Sequence, residues 1–349
     1  MHIPDGYLSA STCAFTYVSA LPFLAVGVKR AGRLPRERLA PLVGLASAFS
    51  FVVMMFNLPL PGGTTGHAVG MGIAAAVLGP WASMLAISVA LAIQALVFGD
   101  GGVTTLGANV LNMAVVGSLV AYAVYVGLAG RSEIRSTRRV AAAAVAGYVA
   151  LNAAALLAAF EFGIQPMFFH DAGGMPLYAP YPLAVAVPAM MAGHLGFAGL
   201  GEMVVTGGLF AYLQHAHPEL LAPSADLPAG VSPRRAVKRL WVGLAAMAAA
   251  TPLGLLATGI AWGEWGVSDF LDPAGRAAIE LASGDAALPE AVPQGLARLA
   301  EAWSAPIPDY APAFLSGEAM GYVLSAALGA GLIALAFAVA ARLGPRPAR

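Results

Sequence analysis

The run LGPWASMLAISVALAIQALVFGDGG, residues 78–102, decides the class of fold that this chain adopts. Its central part, residues 81–98, carries no charged side chain and is long enough to cross a lipid bilayer as a helix. Similar apolar runs recur along the chain, which is 59% hydrophobic and only 10% charged. Soluble domains carry about 25% charged residues. The composition therefore predicts an all-α membrane protein with several spans.

The apolar runs predict about nine transmembrane helices, arranged as a seven-helix bundle and a C-terminal two-helix unit. Residues 66–98 allow two interpretations, either one long helix or two helices separated at Pro80. We prefer two, because that number sorts the basic residues onto one side of the membrane. The predicted helices lie near residues 8–28, 39–57, 66–79, 81–98, 104–129, 140–162, 181–213, 240–261 and 318–341.

Positive charge predicts the orientation of these helices. Cytoplasmic loops of membrane proteins are enriched in Lys and Arg. With the amino terminus outside, nine spans place four basic segments in the cytoplasm. These hold 16 of the 18 basic residues and lie at 29–38, 131–139, 214–239 and 341–349. We therefore expect the amino terminus outside and the carboxyl terminus inside.

Two short segments indicate a metal site on the outer side, namely MHIPDGY (1–7) and PGGTTGH, which ends at His67. The terminal amine of Met1, the backbone amide nitrogen of His2 and the His2 imidazole can chelate one divalent metal, and His67 can supply a fourth nitrogen. Four planar nitrogens favour Ni(II), Cu(II) or low-spin Co(II) over tetrahedral Zn(II). A His at position two is usually incidental, so this pattern alone leaves the metal role open.

Longer motifs settle the interpretation. Taken in chain order, this sequence resembles the membrane-embedded M component, of the CbiM/NikM type, of energy-coupling-factor importers for cobalt and nickel. The resemblance covers residues 1–215. It is carried by MHIPDGYLSA (1–10), NLPLPGGTTGHAVG (57–70), the run 78–102, LGANVLNM (106–113) and HLGFAGLGEMVVT (194–206).

The resemblance implies a function and a set of partners. The amino terminus would fold back into a bundle like that of other substrate-binding (S) components, and Met1, His2 and His67 would bind the metal. The protein would lie in the cytoplasmic membrane of a bacterium or archaeon and capture Ni(II) or Co(II) outside it for ATP-driven import, with the metal as substrate and without a catalytic cofactor. A transmembrane T component (CbiQ/NikQ type) and ATPase A components (CbiO/NikO type) would be its partners. Neither enzymatic activity nor nucleic-acid binding is expected, and nickel and cobalt are not distinguished.

The C-terminal part resembles an accessory domain that is often joined to these importers, in the segments TPLGLLATGIAWGEWG (251–266) and PIPDYAP (306–312). We expect residues 1–213 to form the metal-binding bundle, 214–239 a cytoplasmic linker and 240–349 an accessory two-helix domain. Its outer segment, 262–317, carries eight acidic and two basic residues. This segment is either a plain outer loop or an aid to metal loading, as the separate N component is in related systems.

Several polar residues in and near the apolar runs leave alternatives open. Asp100, in FGDGG, is most simply a solvated turn residue. Asn109 and Asn112 would tie helices together or brace the amino-terminal segment, because buried amides need partners. His194 and Glu202 are ionisable groups inside a predicted membrane helix, where such groups are costly and are candidates for a function. The resemblance implies that they are structural or coupling elements. His170 would be a surface residue or a transient metal collector.

Two other functions are less consistent with the sequence than import by an ATP-driven complex. The chain has no GxxxxGK[ST] phosphate loop, so ATP hydrolysis would have to come from other chains. An ion-driven secondary carrier is disfavoured because the predicted helices lack a chain of paired acids and bases. An intramembrane hydrolase using His194 and Glu202 is disfavoured because no nucleophile or metal triad accompanies them.

Overall fold

Eight long helices organise the computed structural model, which describes residues 1–31, 36–221 and 234–343. We label them α1 to α8 in chain order. Among the described residues, seven stretches are long and apolar enough to cross a membrane, one for each helix except α2. The stretch of α7 reaches this length only together with the 3-10 turn that follows it, and α2 contributes the shorter apolar stretch Ala40–Met54. The predicted all-α, multi-pass membrane fold is confirmed. The helices are α1 (Ala10–Ala31), α2 (Arg36–Met54), α3 (Met71–Phe98), α4 (Leu106–Ala129), α5 (Thr137–Gly163), α6 (Leu183–Ala216), α7 (Arg234–Ala250) and α8 (Glu318–Leu343).

Helix α3 contains the break that the sequence predicted before Pro80. Gly79 has φ 73° and ψ 172°, so helical geometry is interrupted there although the helix is assigned without a gap. The neighbours of α3 along α2 show that the chain reverses direction at this point. Gly70, just before α3, lies beside Phe49 of α2. Farther along α3, Ala82 shares a buried cluster with Val43, which is nearer the beginning of α2. At the end of α3, the ring centroid of Phe98 lies 5.4 Å from that of Phe51, back toward the end of α2. The residues of α3 before and after Gly79 therefore form two arms that lie antiparallel beside α2. The first arm begins at Met71 rather than at residue 66, where the sequence predicted its beginning.

Small residues bring α3, α5 and α6 close together. A Cβ atom on Gly72 would lie 2.7 Å from the Cα atom of Gly147, so the two backbones meet without a side chain between them. A Cβ atom on Gly147 would in turn lie 3.2 Å from Cγ of Glu202 on α6. Small residues are typical of such close contacts between membrane helices. Here they bring a carboxylate of α6 to the beginning of α3.

Three of the membrane helices contain a π-helical turn, a feature that often marks functional sites. The turns are Gln94–Phe98 in α3, Val110–Val116 in α4 and His194–Ala198 in α6. Each contains a buried polar side chain, namely Gln94, Asn112 and His194. The wider turn lets the helix present such a side chain without losing its backbone bonds.

The segment between α7 and α8 packs on the end of the bundle that carries the amino terminus. The backbone amide of Ile307 donates to the carbonyl of Val97 at 3.0 Å, and that of Gly295 donates to Leu177 at 2.6 Å. The Trp303 indole N–H donates to the carbonyl of Leu96 at 3.0 Å. The short helices of this segment are Val267–Leu271, Pro273–Ala282 and Gln294–Leu299.

Parts of the predicted basic segments and of the linker 214–239 lie outside the described residues. These parts are 32–35, 222–233 and 344–349. The domain boundaries at 213 and 239 therefore stay predictions. The predicted helix 240–261 ends earlier, because α7 gives way at Ala250 to a 3-10 turn, Thr251–Leu256, whose Pro252 lacks the N–H that a helix interior needs.

Candidate metal-binding site

The first residues of the chain are buried inside the bundle. Met1 is 3% exposed and His2 1%, and Ile3 is fully buried. The backbone N–H of Ile3 donates to Asn109 Oδ1 at 2.8 Å, and Asn109 Nδ2 donates back to the Ile3 carbonyl at 3.1 Å. The Gly102 N–H donates to the same carbonyl at 2.8 Å. Asn109 therefore braces the amino-terminal segment, which was one of its two predicted roles.

The second predicted role, joining helices, belongs to Asn112. Its Nδ2 donates to Glu161 Oε2 at 2.7 Å, a bond that links α4 to α5. Asp5 holds the next part of the amino-terminal segment, because its carboxylate accepts from the backbone N–H of Val103 at 3.1 Å and of Thr104 at 2.7 Å. The segment is thus fixed to the beginning of α4 by several separate bonds.

The segment that carries His67 is ordered by a different set of contacts. A two-stranded antiparallel hairpin, Leu58–Leu60 with Thr64–Gly66, leads directly into it. Beyond His67, the fully buried carboxylate of Glu202 accepts from the backbone N–H groups of Val69 and Gly70, each at 2.8 Å, and of Gly72 at 3.2 Å. Negative charge is favourable at the beginning of a helix, where N–H groups have no partner within the helix.

Glu202 is therefore an anchor for the His67 segment, which the sequence alone did not show. Its Oε1 also accepts from the Thr206 hydroxyl at 3.0 Å. Both carboxylate oxygens are thus occupied by N–H and O–H donors. Among the described residues, no hydrogen bond joins Glu202 to His194, whose Nδ1 instead lies 2.8 Å from the carbonyl of Met190. The pair is not arranged for the hydrolase that was considered above.

The hydrogen-bond partners of His67 define which of its nitrogens is free. Its Nδ1 lies 3.2 Å from the carbonyl oxygen of Ala68. A carbonyl oxygen only accepts, so Nδ1 carries the proton and Nε2 carries the lone pair. Burial, with smaller contributions from the neighbouring His2, the Met1 amine and His194, holds the pKa of His67 well below its usual value. The ring is therefore a neutral ligand-type imidazole.

The two imidazoles meet nitrogen to nitrogen. His67 Nε2 lies 3.3 Å from His2 Nδ1, and His67 itself is only 7% exposed. His2 Nδ1 also lies 3.1 Å from Asp100 Oδ1. Because both neighbours are acceptors, the proton of His2 Nδ1 points between them. The imidazoles of His2 and His67 therefore converge beside the buried Met1, and the His2 Nδ1 proton occupies the place that a cation bound to both rings would take.

Two carboxylates flank this convergence, and neither role is evident from the sequence. The terminal ammonium of Met1 pairs with Glu264 Oε1 at 3.1 Å. Asp100, which was predicted to be a solvated turn residue, is only 19% exposed and accepts from His2, from Gln94 Nε2 at 3.0 Å and from the Tyr310 hydroxyl at 2.5 Å. That prediction was wrong because the partners of Asp100 are distant in sequence. His170 is exposed, and its Nδ1 lies 3.0 Å from the carbonyl of the neighbouring Asp171.

Within the described part of the chain, no group of three His, Cys, Asp or Glu side chains has the spacing of a metal site. The predicted ligand set differs from such a group because two of its four nitrogens, the Met1 amine and the His2 amide, belong to the backbone. The structure therefore offers a nitrogen-rich pocket rather than a cluster of side chains.

These features define a multi-pass α-helical membrane protein whose buried amino terminus meets a buried histidine loop. The family model for the cobalt uptake substrate-specific transmembrane region, CbiM, matches residues 2–220, and a PDGLE domain matches residues 238–346. The chain belongs to the CbiM family and carries a PDGLE domain after it. The resemblance noted in the sequence is thereby confirmed.

Two similar proteins are named as fused transport proteins. The fused nickel transport protein NikMN of Rhodobacter capsulatus is 59% identical over 343 residues, which is 98% of each chain. The probable fused nickel transport protein LarMN of Lactiplantibacillus plantarum is 42% identical over 269 residues, 76% of this chain and 78% of that protein. A crystal structure of a truncated transition metal transporter is 48% identical and superimposes with a TM-score of 0.57, covering 61% of this chain and 98% of that one.

Proposed function

We propose that this protein captures Ni(II) or Co(II) on the outer side of the cytoplasmic membrane for ATP-driven import, as the substrate-specific component of an energy-coupling-factor transporter. The observation that carries the proposal is the approach of His2 Nδ1 and His67 Nε2 to 3.3 Å at a buried chain terminus. The names of the relatives, which refer to nickel transport, and of the family, which refers to cobalt uptake, support it. Its role is transport rather than catalysis.

The ligands are the Met1 amine, the His2 amide nitrogen, His2 Nδ1 and His67 Nε2. The first three close one five-membered and one six-membered chelate ring, and His67 completes a planar set that suits Ni(II) or low-spin Co(II). The Met1 ammonium, the His2 amide and His2 Nδ1 must give up protons to bind, whereas His67 Nε2 already carries a lone pair. The Glu264 carboxylate lies beside the Met1 ammonium, so an acceptor stands next to one of the protons that leave, and the Asp100 carboxylate lies beside His2 Nδ1.

The partners are a transmembrane T component and a pair of ATPases. The absence of a phosphate loop from the sequence supports this division of labour. Uptake that persists in cells lacking the ATPases would favour an ion-driven carrier instead.

The amino terminus and the site face outward, as the distribution of basic residues indicates. Single cysteines at the exposed positions 135 and 285 test this orientation in a Cys13→Ser background. In intact cells, an impermeant thiol reagent should label only Asp285→Cys, and labelling of Arg135→Cys alone would reverse the orientation.

One extra residue before Met1 tests the ligand set directly. The added residue moves the amine away from the His2 amide, so the five-membered ring cannot close, and the buried terminus leaves it no room. We expect nickel and cobalt uptake to be lost and the absorption spectrum of planar nickel to change. A glycine inserted after the exposed Gly173 is the matched control and should leave both unchanged. Normal uptake with an unchanged spectrum in the extended protein would show that the amine is not a ligand.

A further inference from the structure

Tyr310, in the PDGLE domain, reaches across to the metal-binding bundle. Its hydroxyl donates to Asp100 Oδ2 at 2.5 Å, and Gln94 Nε2 donates to the same oxygen at 3.0 Å. The other oxygen, Oδ1, faces His2 Nδ1 at 3.1 Å. Two donors on one oxygen fix the rotation of the carboxylate, so Oδ1 is held toward His2.

The backbone at Tyr310 is held in an unfavourable conformation. Asp309 and Tyr310 have φ values of 53° and 58°, in the left-handed region that bulky residues rarely adopt. Such conformations persist only where the surrounding structure enforces them, and they concentrate at functional sites. Here the buried Tyr310 ring stacks on Phe98 at 4.8 Å between centroids and lies edge-on to Phe51 at 6.2 Å. Aromatic packing therefore directs the hydroxyl to Asp100.

The Asp100 carboxylate can balance part of the charge of a bound dication. A divalent cation that replaces the His2 Nδ1 proton would meet the same two neighbours, His67 Nε2 and Asp100 Oδ1. Burying an uncompensated charge is costly. The deprotonated His2 amide supplies one negative charge, and Asp100, held in place, supplies a second. The orientation of Asp100 is thus part of what makes the pocket suitable for a dication.

We propose that Tyr310 is a positioning residue for the metal site, acting through Asp100 on His2, so that the PDGLE domain sets the metal affinity of the bundle to which it is fused. This inference rests on the proposed function above. Substituting a residue that orients a metal ligand without binding the metal itself typically changes metal affinity by about 10- to 100-fold. Because Gln94 still holds Asp100 when the hydroxyl is lost, we expect the lower end of that range.

The test is Tyr310→Phe in the full chain, with Tyr322→Phe as the matched control. Tyr322 packs edge-on against Tyr310 at 5.4 Å, so its substitution removes a hydroxyl from the same aromatic cluster. We expect Tyr310→Phe to weaken Ni(II) binding about 10-fold by calorimetry, with a shifted nickel absorption band. Tyr322→Phe should bind as the unmodified protein does. Unchanged affinity in Tyr310→Phe would overturn the proposal.

A second variant separates an effect through Asp100 from a general loss of structure. Asp100→Asn should itself weaken Ni(II) binding, and adding Tyr310→Phe to it should cause little further loss, because coupled residues are not additive. An equal loss in both backgrounds would show that Tyr310 acts through the fold, and the proposal would fail. Failure of the metal site itself looks different, since unmodified protein and His67→Ala would then bind Ni(II) equally weakly.

Discussion

The amino-terminal segment and the His67 segment bring their nitrogens to one point by different means. Residues 1–9 are held by bonds from several regions, including Glu264 to the Met1 ammonium and the carbonyl of Trp265, which accepts from the Tyr7 hydroxyl at 2.7 Å. The His67 segment takes its hydrogen bonds chiefly from Glu202 within the bundle, and the hairpin before it also touches the PDGLE domain through a bridge between Thr65 and Ala261. The amino-terminal half of the candidate site is therefore bonded directly to the PDGLE domain, whereas the polar anchor of His67 lies in the part that matches CbiM.

This difference indicates which contacts can regulate metal binding. Glu264, Trp265 and Tyr310 all lie in residues 238–346, and all contact the amino-terminal segment or Asp100 beside it. A movement of the PDGLE domain would therefore disturb the Met1 and His2 nitrogens first. The His67 nitrogen would be affected less, because its anchor Glu202 lies on α6 and the contact with the PDGLE domain is made by the hairpin before His67.

Removing one imidazole from each half gives the largest expected effect. His67→Ala leaves the amine, amide and imidazole chelate of residues 1–2, whereas His2→Ala breaks that chelate. Both variants should lose tight binding of Ni(II) and Co(II). The loss of affinity should exceed the roughly 100-fold that results from substituting a residue that only orients a ligand. His2→Ala should lose more affinity than His67→Ala. Calorimetry of the purified proteins measures this, with circular dichroism as the control for folding. Near-normal affinity in both folded variants would place the site elsewhere.

The residues that converge at the candidate site can be predicted from the sequence, but the residues that surround them cannot. Met1 and His2 are adjacent, so their chelating geometry is local, and His67 lies in a recognisable PGGTTGH segment. The membrane helices were evident from their length and apolar composition, and Pro80 marked the break in α3. Such features depend on neighbouring residues, which the sequence displays directly.

The surrounding contacts join residues that are far apart in the chain. Asp100 stands in FGDGG, a pattern typical of a solvated turn, and its bond to Tyr310 spans 210 positions. Glu264 pairs with Met1 over 263 positions, and nothing in WGEWG indicates that partner. Glu202 was recognised as costly inside a membrane helix, but its three backbone donors could not be foreseen, because backbone N–H groups leave no mark in a sequence.

Glu202→Gln gives the smaller effect and tests the anchor of the His67 segment without changing a residue of the PDGLE domain. The substitution keeps the shape but removes the charge, and it turns an NH2 group toward donors that need an acceptor. Hydrogen bonds to a charged group contribute about 1.5–3 kcal/mol, so we expect the free energy of unfolding to fall by about 2–3 kcal/mol. Nickel affinity should fall about 10-fold, because His67 loses its fixed place while the chelate of residues 1–2 persists.

The control for Glu202→Gln is Glu301→Gln, which removes one carboxylate charge from an exposed position of the PDGLE domain. It should change neither unfolding nor affinity. A spectrum that moves toward three nitrogens and water in Glu202→Gln, but not in Glu301→Gln, would show that His67 has left the metal. Should Glu202→Gln lose stability yet keep its nickel affinity and spectrum, the hairpin Leu58–Leu60 with Thr64–Gly66 would suffice to place His67. The two halves would then differ in stability rather than in metal binding.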